Sequence, residues 1–246
     1  MVWSCTEIQS SAISDLVVGG VNEGQAEVLM VINKFYQCPV SFAKTRTEPE
    51  VACMVHRLYL IHLANLYGAG NLMPLLYPYV RTGPYSESAR AGLESWAKAD
   101  AARARCVAHH CAQMLALARI YANNSPWEPF VIFHAGVVLS CIAELLPHTS
   151  SAACPTGFVR LDALGGDESQ HSQIPTWIRD GGHVNVGLYG VPSLCCSRGR
   201  RQVLDQTTEL LKRRRVWCIA RNFTRVVLSL RNSVTAEQEP SSPGGP

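Results

Sequence analysis

Two groups of residues in this chain have the types and spacing to do chemistry. The first is Cys106, His109, His110 and Cys111, in which Cys106 and His110 stand one helical turn apart. Imidazole and thiolate at that interval invite a metal reading. A tetrahedral site needs three or four converging ligands, and two on one helix supply only half of one. Packed or surface side chains are therefore the expected role. His56 and His62, six apart, do not share a helix face, and His134 in an apolar segment reads as a hydrogen-bonded core histidine.

The second group is the basic run Lys212, Arg213, Arg214 and Arg215. It fits a solvated or intramolecular face, a nuclear import signal, or a contact to phosphate, DNA included. Four consecutive cations cannot all turn inward, so part of the run is expected in solvent. Nucleophilic and nucleotide chemistry have less support. The chain has no G-x-S-x-G elbow, no phosphate-binding G-x-x-x-x-G-K-[ST] loop and no G-x-G-x-x-G after a strand. No catalytic residue is assigned, and a non-enzyme is expected.

The elements that must position these groups read as helices. Trp127-Glu128-Pro129-Phe130 opens an apolar run from Val131 to Leu146, with Pro129 suited to a first helical turn and Pro147 as a stop. The run is apolar on nearly every face, as a helix buried inside a larger body is. At roughly 16 to 18 residues, interrupted by His134 and Glu144, it falls short of the ~20 that span a bilayer. It is expected to be the central helix of the domain.

Around it, Glu48-Pro49-Glu50 starts a helix with Val51, Met54, Val55, Leu58, Ile61, His62 and Leu66 on one broad face. A weaker helix is predicted over Gln25 to Phe35. Leu72 to Pro84, with three prolines among aromatics, reads as an ordered connection. Ser86 to Asn123 is the longest helical signal, with a break expected near Lys98 to Ala101 and an inward stripe of Val107, Cys111, Met114, Leu115 and Ala118. Between His148 and Gln173 no period is sustained, and a long surface loop is expected. Val184 to Val191 alternates weakly and leaves a short strand open. A last pair, Gly199 to Arg213 and Val216 to Arg231, closes the helical part, continuous or broken at the arginines. The second member has an apolar stripe of Val216, Ile219, Ala220, Phe223, Val227 and Leu230.

The expected fold class is thus all-α: an irregular multi-helix domain with a buried central helix and a long loop before the last helix pair. Its expected limits are a poorly patterned segment over 1–24, a helical domain over 25–233 with the loop at about 148–175, and a disordered tail over 234–246. Of 246 residues, 47% are hydrophobic and 17% charged, ample for a core and low enough to suggest that some surface is covered. The net charge of +3 hides an asymmetry: Arg198 to Arg231 holds ten basic residues against Asp205 and Glu209. The ten cysteines form no C-x-x-C pair and are expected as reduced thiols of an intracellular protein. Met1-Val2-Trp3 enters the chain with no polar leader, so a longer parent or a truncated gene product is expected.

Trp127-Glu128-Pro129-Phe130, preceded by Ala108-His109 and Leu115-Ala116-Leu117-Ala118-Arg119, resembles the middle of the fungal-specific transcription factor domain. So does the terminal block: Trp177-Ile178-Arg179-Asp180-Gly181-Gly182, Leu188-Tyr189-Gly190-Val191, Arg200-Arg201 and Val216-Trp217-Cys218-Ile219-Ala220. The likeness runs from about Glu27 to Arg231 and rests on the order and spacing of the blocks together. It implies a helical regulatory region of a nuclear factor controlling RNA polymerase II transcription. Trp127, Glu128, Pro129, Phe130, Trp177, Gly181, Gly182 and Trp217 would be its structural motif residues. The zinc-dependent DNA-binding module of such factors is absent here, so zinc and DNA are expected as partners of the parent protein, and no cofactor or metal of this chain. A homodimer or transcriptional cofactors are the expected partners of the region itself, and no membrane. The alternative is a small helical ligand- or metal-binding protein or enzyme with a His/Cys-lined pocket around His109, His110 and His134.

Overall fold

The computed structural model describes residues 47–68, 72–82, 87–122, 124–146, 157–164, 168–182 and 184–236. The helix predicted over Gln25 to Phe35, the segment 1–24 and the tail beyond residue 236 lie outside them. Eight helices are present among the described residues: α1 (Glu48–Gly68), α2 (Met73–Thr82), α3 (Glu87–Ala99), α4 (Ala101–Ile120), α5 (Glu128–Leu145), α6 (Glu168–Asp180), α7 (Ser197–Arg213) and α8 (Cys218–Ala236). Two three-residue strands, β1 (Phe158–Arg160) and β2 (Asn185–Gly187), pair in parallel with Val159 opposite Val186. The domain is all-helical apart from this small sheet, and α5 is its buried centre.

The break between α3 and α4 falls inside the predicted interval. Asp100 takes extended backbone, and its carboxylate accepts the Arg103 N–H at 2.9 Å, so one residue ends one helix and caps the next. Beyond that cap α4 is buried continuously from His110 to Ala118. Alanines at 112, 116 and 118 let neighbouring backbones approach on every side. α5 begins with the Glu128 N–H on the Ser125 carbonyl and Pro129 in its first turn. It ends where Leu146, preceding Pro147, turns extended, as the residue before a proline favours. By length and composition α5 could cross a membrane, yet 72% of it is buried within the fold. It packs against α2, α3, α4, α7 and α8.

α5 and α7 approach most closely in their middles. A Cβ on Gly136 would overlap Thr207 Oγ1, Cγ2 and Cβ, and the Thr207 hydroxyl is itself held on the Val203 carbonyl at 2.8 Å. Glycine is required here for proximity. Gly136→Ala is expected to lower stability by about 1–3 kcal/mol through overpacking, read as a fall in the urea midpoint; Gly136→Ala with Thr207→Ala should recover most of it.

Several expected boundaries are corrected. Leu72 to Pro84 holds a helix, α2, because Pro74 lies in the first turn, where its missing N–H needs no helical partner. Pro78 then forfeits a single bond while Leu76 and Tyr79 are buried. The expected loop after α5 contains β1 and the start of α6, with Val159, Leu161 and Asp162 buried. Its strand partner lies some 25 residues further on, so no local period announces it. Residues 234–236, expected in the tail, are helical, since α8 runs through Ala236. α7 and α8 are separate helices, joined by a turn in which the Arg214 N–H bonds the Leu211 carbonyl and the Trp217 N–H bonds the Arg214 carbonyl. That turn sets the rotation of α8. Ala220, Val227, Leu230 and Val234 face inward with Phe223 beside them, whereas Val216 and Ile219, expected on the inner stripe, are 76% and 44% exposed.

Candidate functional site

Three of the resembling blocks, 115–119, 127–130 and 216–220, border one corner, where α5 starts, α7 ends and α8 begins. Arg214 is 1% exposed, and its guanidinium grips Glu128, also 1% exposed, through Nε to Oε2 at 3.1 Å and Nη2 to Oε1 at 2.8 Å. The same Nη2 donates to the Ala118 carbonyl at the end of α4, at 2.6 Å. Tyr59 of α1 donates its hydroxyl to Glu128 Oε1 at 3.3 Å. Burial, and then the neighbouring carboxylate, push the Tyr59 phenol well above its ordinary pKa, so it remains a donor.

This overturns the placement of Arg214 among the solvent-facing cations. Lys212, Arg213 and Arg215 are exposed, with Lys212 on Glu209 at 2.7 Å, but Arg214 is a core residue and is closed to an import receptor or a phosphate. A carboxylate at the head of an apolar helix can be buried only with a cation and further donors around it, and the α7–α8 turn supplies both.

The other end of α5 repeats the arrangement. Glu144 Oε2 receives Arg200 Nη2 at 2.7 Å and the Tyr79 hydroxyl at 2.6 Å, and Arg200 Nη2 lies 3.1 Å from that hydroxyl oxygen. Arg90 of α3 adds a contact to Oε1 at 3.4 Å. Thus α5 and α7 run antiparallel, pressed together at Gly136 and Thr207, and each end is held by a Glu–Arg–Tyr group whose tyrosine comes from α1 or α2. The chemistry of these groups is charge neutralisation. Their carboxylates are filled by strong donors and are placed to hold helices.

The remaining motif residues also serve packing. Trp127 stacks on His56, ring centres 5.4 Å apart, and meets Tyr59 edge-on. Pro129 is buried, while Phe130 is partly exposed with its ring centre 3.9 Å from that of His134. Trp217 donates its indole N–H to the Asn124 carbonyl at 3.3 Å. Trp177 is buried, and its carbonyl accepts the Gly181 N–H at 2.8 Å where α6 ends. Gly181 and Gly182 have φ of 70° and 106°, the left-handed region glycine adopts without strain. Arg105 of α4 reaches this end through the Ile178 and Arg179 carbonyls at 2.9 and 3.0 Å. Asp162, buried beside β1, collects Arg119 at 2.6 Å, Arg160 at 2.9 Å and the Tyr189 N–H at 3.1 Å.

The histidines form a pair that their sequence positions conceal. His62 of α1 and His110 of α4 face each other, Nδ1 to Nδ1 at 2.9 Å, and both are buried. One neutral ring donates and the other accepts. Burial, with other imidazoles nearby, lowers the His62 pKa from 6.5 to about 3 and takes His110 well below its usual value. His134 is occupied on the Phe130 carbonyl at 2.9 Å, and burial lowers its pKa too. Cys106 is half-buried and Cys111 fully so, their thiol pKa values raised mainly by burial. The seven described cysteines are free thiols. Among the described residues no group of three or more His, Cys, Asp or Glu converges as a metal requires.

No family model, curated protein or solved structure matches this chain.

Proposed function

We propose that this chain is a regulatory helical region of a nuclear transcription factor of the fungal-specific kind, acting on RNA polymerase II transcription without catalysis. In this reading DNA contact and zinc belong to a module of the parent protein, and this region acts through a homodimer or transcriptional cofactors. One observation carries the proposal: Glu128 of the block 127–130 is held by Arg214, two residues before the block 216–220, in a buried pair, while Lys212, Arg213 and Arg215 of the same turn remain exposed. Two residues 86 positions apart that pack as a single unit support reading the segments around them as parts of one fold, and exposed cations beside them suit an import receptor.

The test has two arms in a filamentous-fungal host. Tethered to a heterologous DNA-binding module, the full chain is expected to change reporter transcription at least about threefold, a coupling of under 1 kcal/mol. An unchanged reporter in either direction would remove the regulatory reading. A fluorescent fusion is expected in the nucleus, and Lys212→Ala/Arg213→Ala/Arg215→Ala should release it to the cytoplasm. Arg214 is left intact in that variant because its loss would unfold the corner. Unaltered nuclear accumulation would remove the import role.

A further inference from the structure

Several surface cations are paired: Lys212 has Glu209, Arg231 has Asp205 and Arg179 has Asp180. Four further arginines gather at the α7–α8 corner. Among the described residues Arg213, Arg215, Arg221 and Arg225 have no acidic partner; the nearest contact of Arg221 is the Cys218 sulfur at 3.1 Å. Arg221 and Arg225 lie one turn apart on the outward face of α8, a spacing at which like charges repel. α8 contains no Asp or Glu at all. Its amino-terminal end carries a partial positive charge of its own, and Arg213 and Arg215 stand directly before it, where an acid would be favoured. Positive potential is therefore accumulated here at a cost in stability.

Among these cations lie the aliphatic side chains of Val216 and Ile219, at 76% and 44% exposure. Val216 is the more exposed of the two, and Trp217, beside it, is drawn back to Asn124. A phosphate backbone would use the arginines and leave the aliphatics wet. An anionic bilayer would use both, but membrane-surface helices present a whole apolar face, and the apolar face of α8 is taken by α5 and α7. A peptide with carboxylates and apolar side chains matches both features at this scale.

We propose that the α7–α8 turn and the first two turns of α8 form a docking surface for an acidic segment of a partner protein that carries apolar side chains among its carboxylates. The proposal is independent of the transcriptional reading.

The test uses the full chain and fluorescence anisotropy of a labelled synthetic peptide in which Asp and Glu alternate with Leu and Phe. Saturable binding is expected, weakening as salt is raised. Arg221→Glu/Arg225→Glu should weaken it at least about tenfold, and Val216→Ser/Ile219→Ser by about as much, since surface charge reversal and lost apolar contact act on the same complex. These side chains are exposed, so both variants should fold, with the thermal melt of Val216→Ser/Ile219→Ser near the parent's and that of the charge reversal at or above it. Oligoglutamate, duplex DNA and phosphatidylserine vesicles serve as competitors and should displace the peptide poorly. No saturable binding, or full affinity in both variants, overturns the proposal. Displacement by DNA or vesicles as effective as by unlabelled peptide overturns it in favour of those surfaces, and by oligoglutamate in favour of a charge-only site. Because Arg213 and Arg215 are intact in both variants, nuclear accumulation should persist in them, which separates this surface from the import signal.

Discussion

Arg214→Ala is expected to be the most damaging single substitution in the domain, costing about 3–5 kcal/mol, because it leaves the Glu128 carboxylate buried without a cation. The side chain does more than pair a charge. It closes α7, fills the space between α4 and α5, and donates to the Ala118 carbonyl, which would lose that donor. Since a domain of this size is stable by only about 5–15 kcal/mol in total, the variant should unfold far earlier in urea, or fail to accumulate as folded protein. The measurement is urea unfolding of Arg214→Ala, Glu128→Gln and Arg214→Met/Glu128→Leu. The apolar double variant should be more stable than Arg214→Ala, since removing both charges removes the uncompensated one. If Arg214→Ala unfolds like the parent, the buried staple is not what joins α5 to α7. Arg213→Ala, one residue away and exposed, should change stability by less than about 0.5 kcal/mol.

The second large effect is on pH. The unfolded chain protonates His62 and His110 as pH falls through 6.5, whereas the folded chain holds His62 neutral to about 3 and His110 neutral well below 6.5. The unfolded state therefore binds more protons in this window. Stability is complete above pH 6.5 and is lost progressively as pH falls toward 3. A histidine held neutral in the fold contributes a slope of about 1.4 kcal/mol per pH unit, so His62 alone should lower stability by on the order of 2 kcal/mol between pH 7.5 and 5, and His110 adds a loss of the same sign. His134, shifted the same way, adds to it. Urea midpoints across that range check the expectation. His62→Leu/His110→Leu should flatten most of the slope while remaining folded at pH 5. A parallel pH profile in that variant would show the pair to be bystanders.

Much of the architecture is legible from local pattern. The central helix follows from a long apolar run, broken only by His134 and Glu144, with a proline at each end. The α3–α4 break follows from an acid that caps, and the α6 terminus from paired glycines. These features depend on residues within one or two turns of each other. Glu128 and Glu144 were also signals in their own right: carboxylates in an apolar helix require partners, though nothing local says which. The two prolines of α2 misled because their breaking tendency is weighed against burial of Leu76 and Tyr79, and burial is a property of the assembled fold. β1 was invisible because three residues form a strand only when another segment brings the matching edge.

By itself, then, the sequence determined most of the helices, the break between α3 and α4 and the apolar centre, since backbone preference and side-chain periodicity act over short stretches. Tertiary structure alone decided that Arg214 is a core residue among three exposed cations, that His62 meets His110 across 48 positions, and that Val216 and Ile219 face outward. A run of arginines has the same local signature whether it is hydrated or buried. Its fate turns on whether a distant carboxylate lies where desolvating the cation can be offset, and only the packed chain sets that distance.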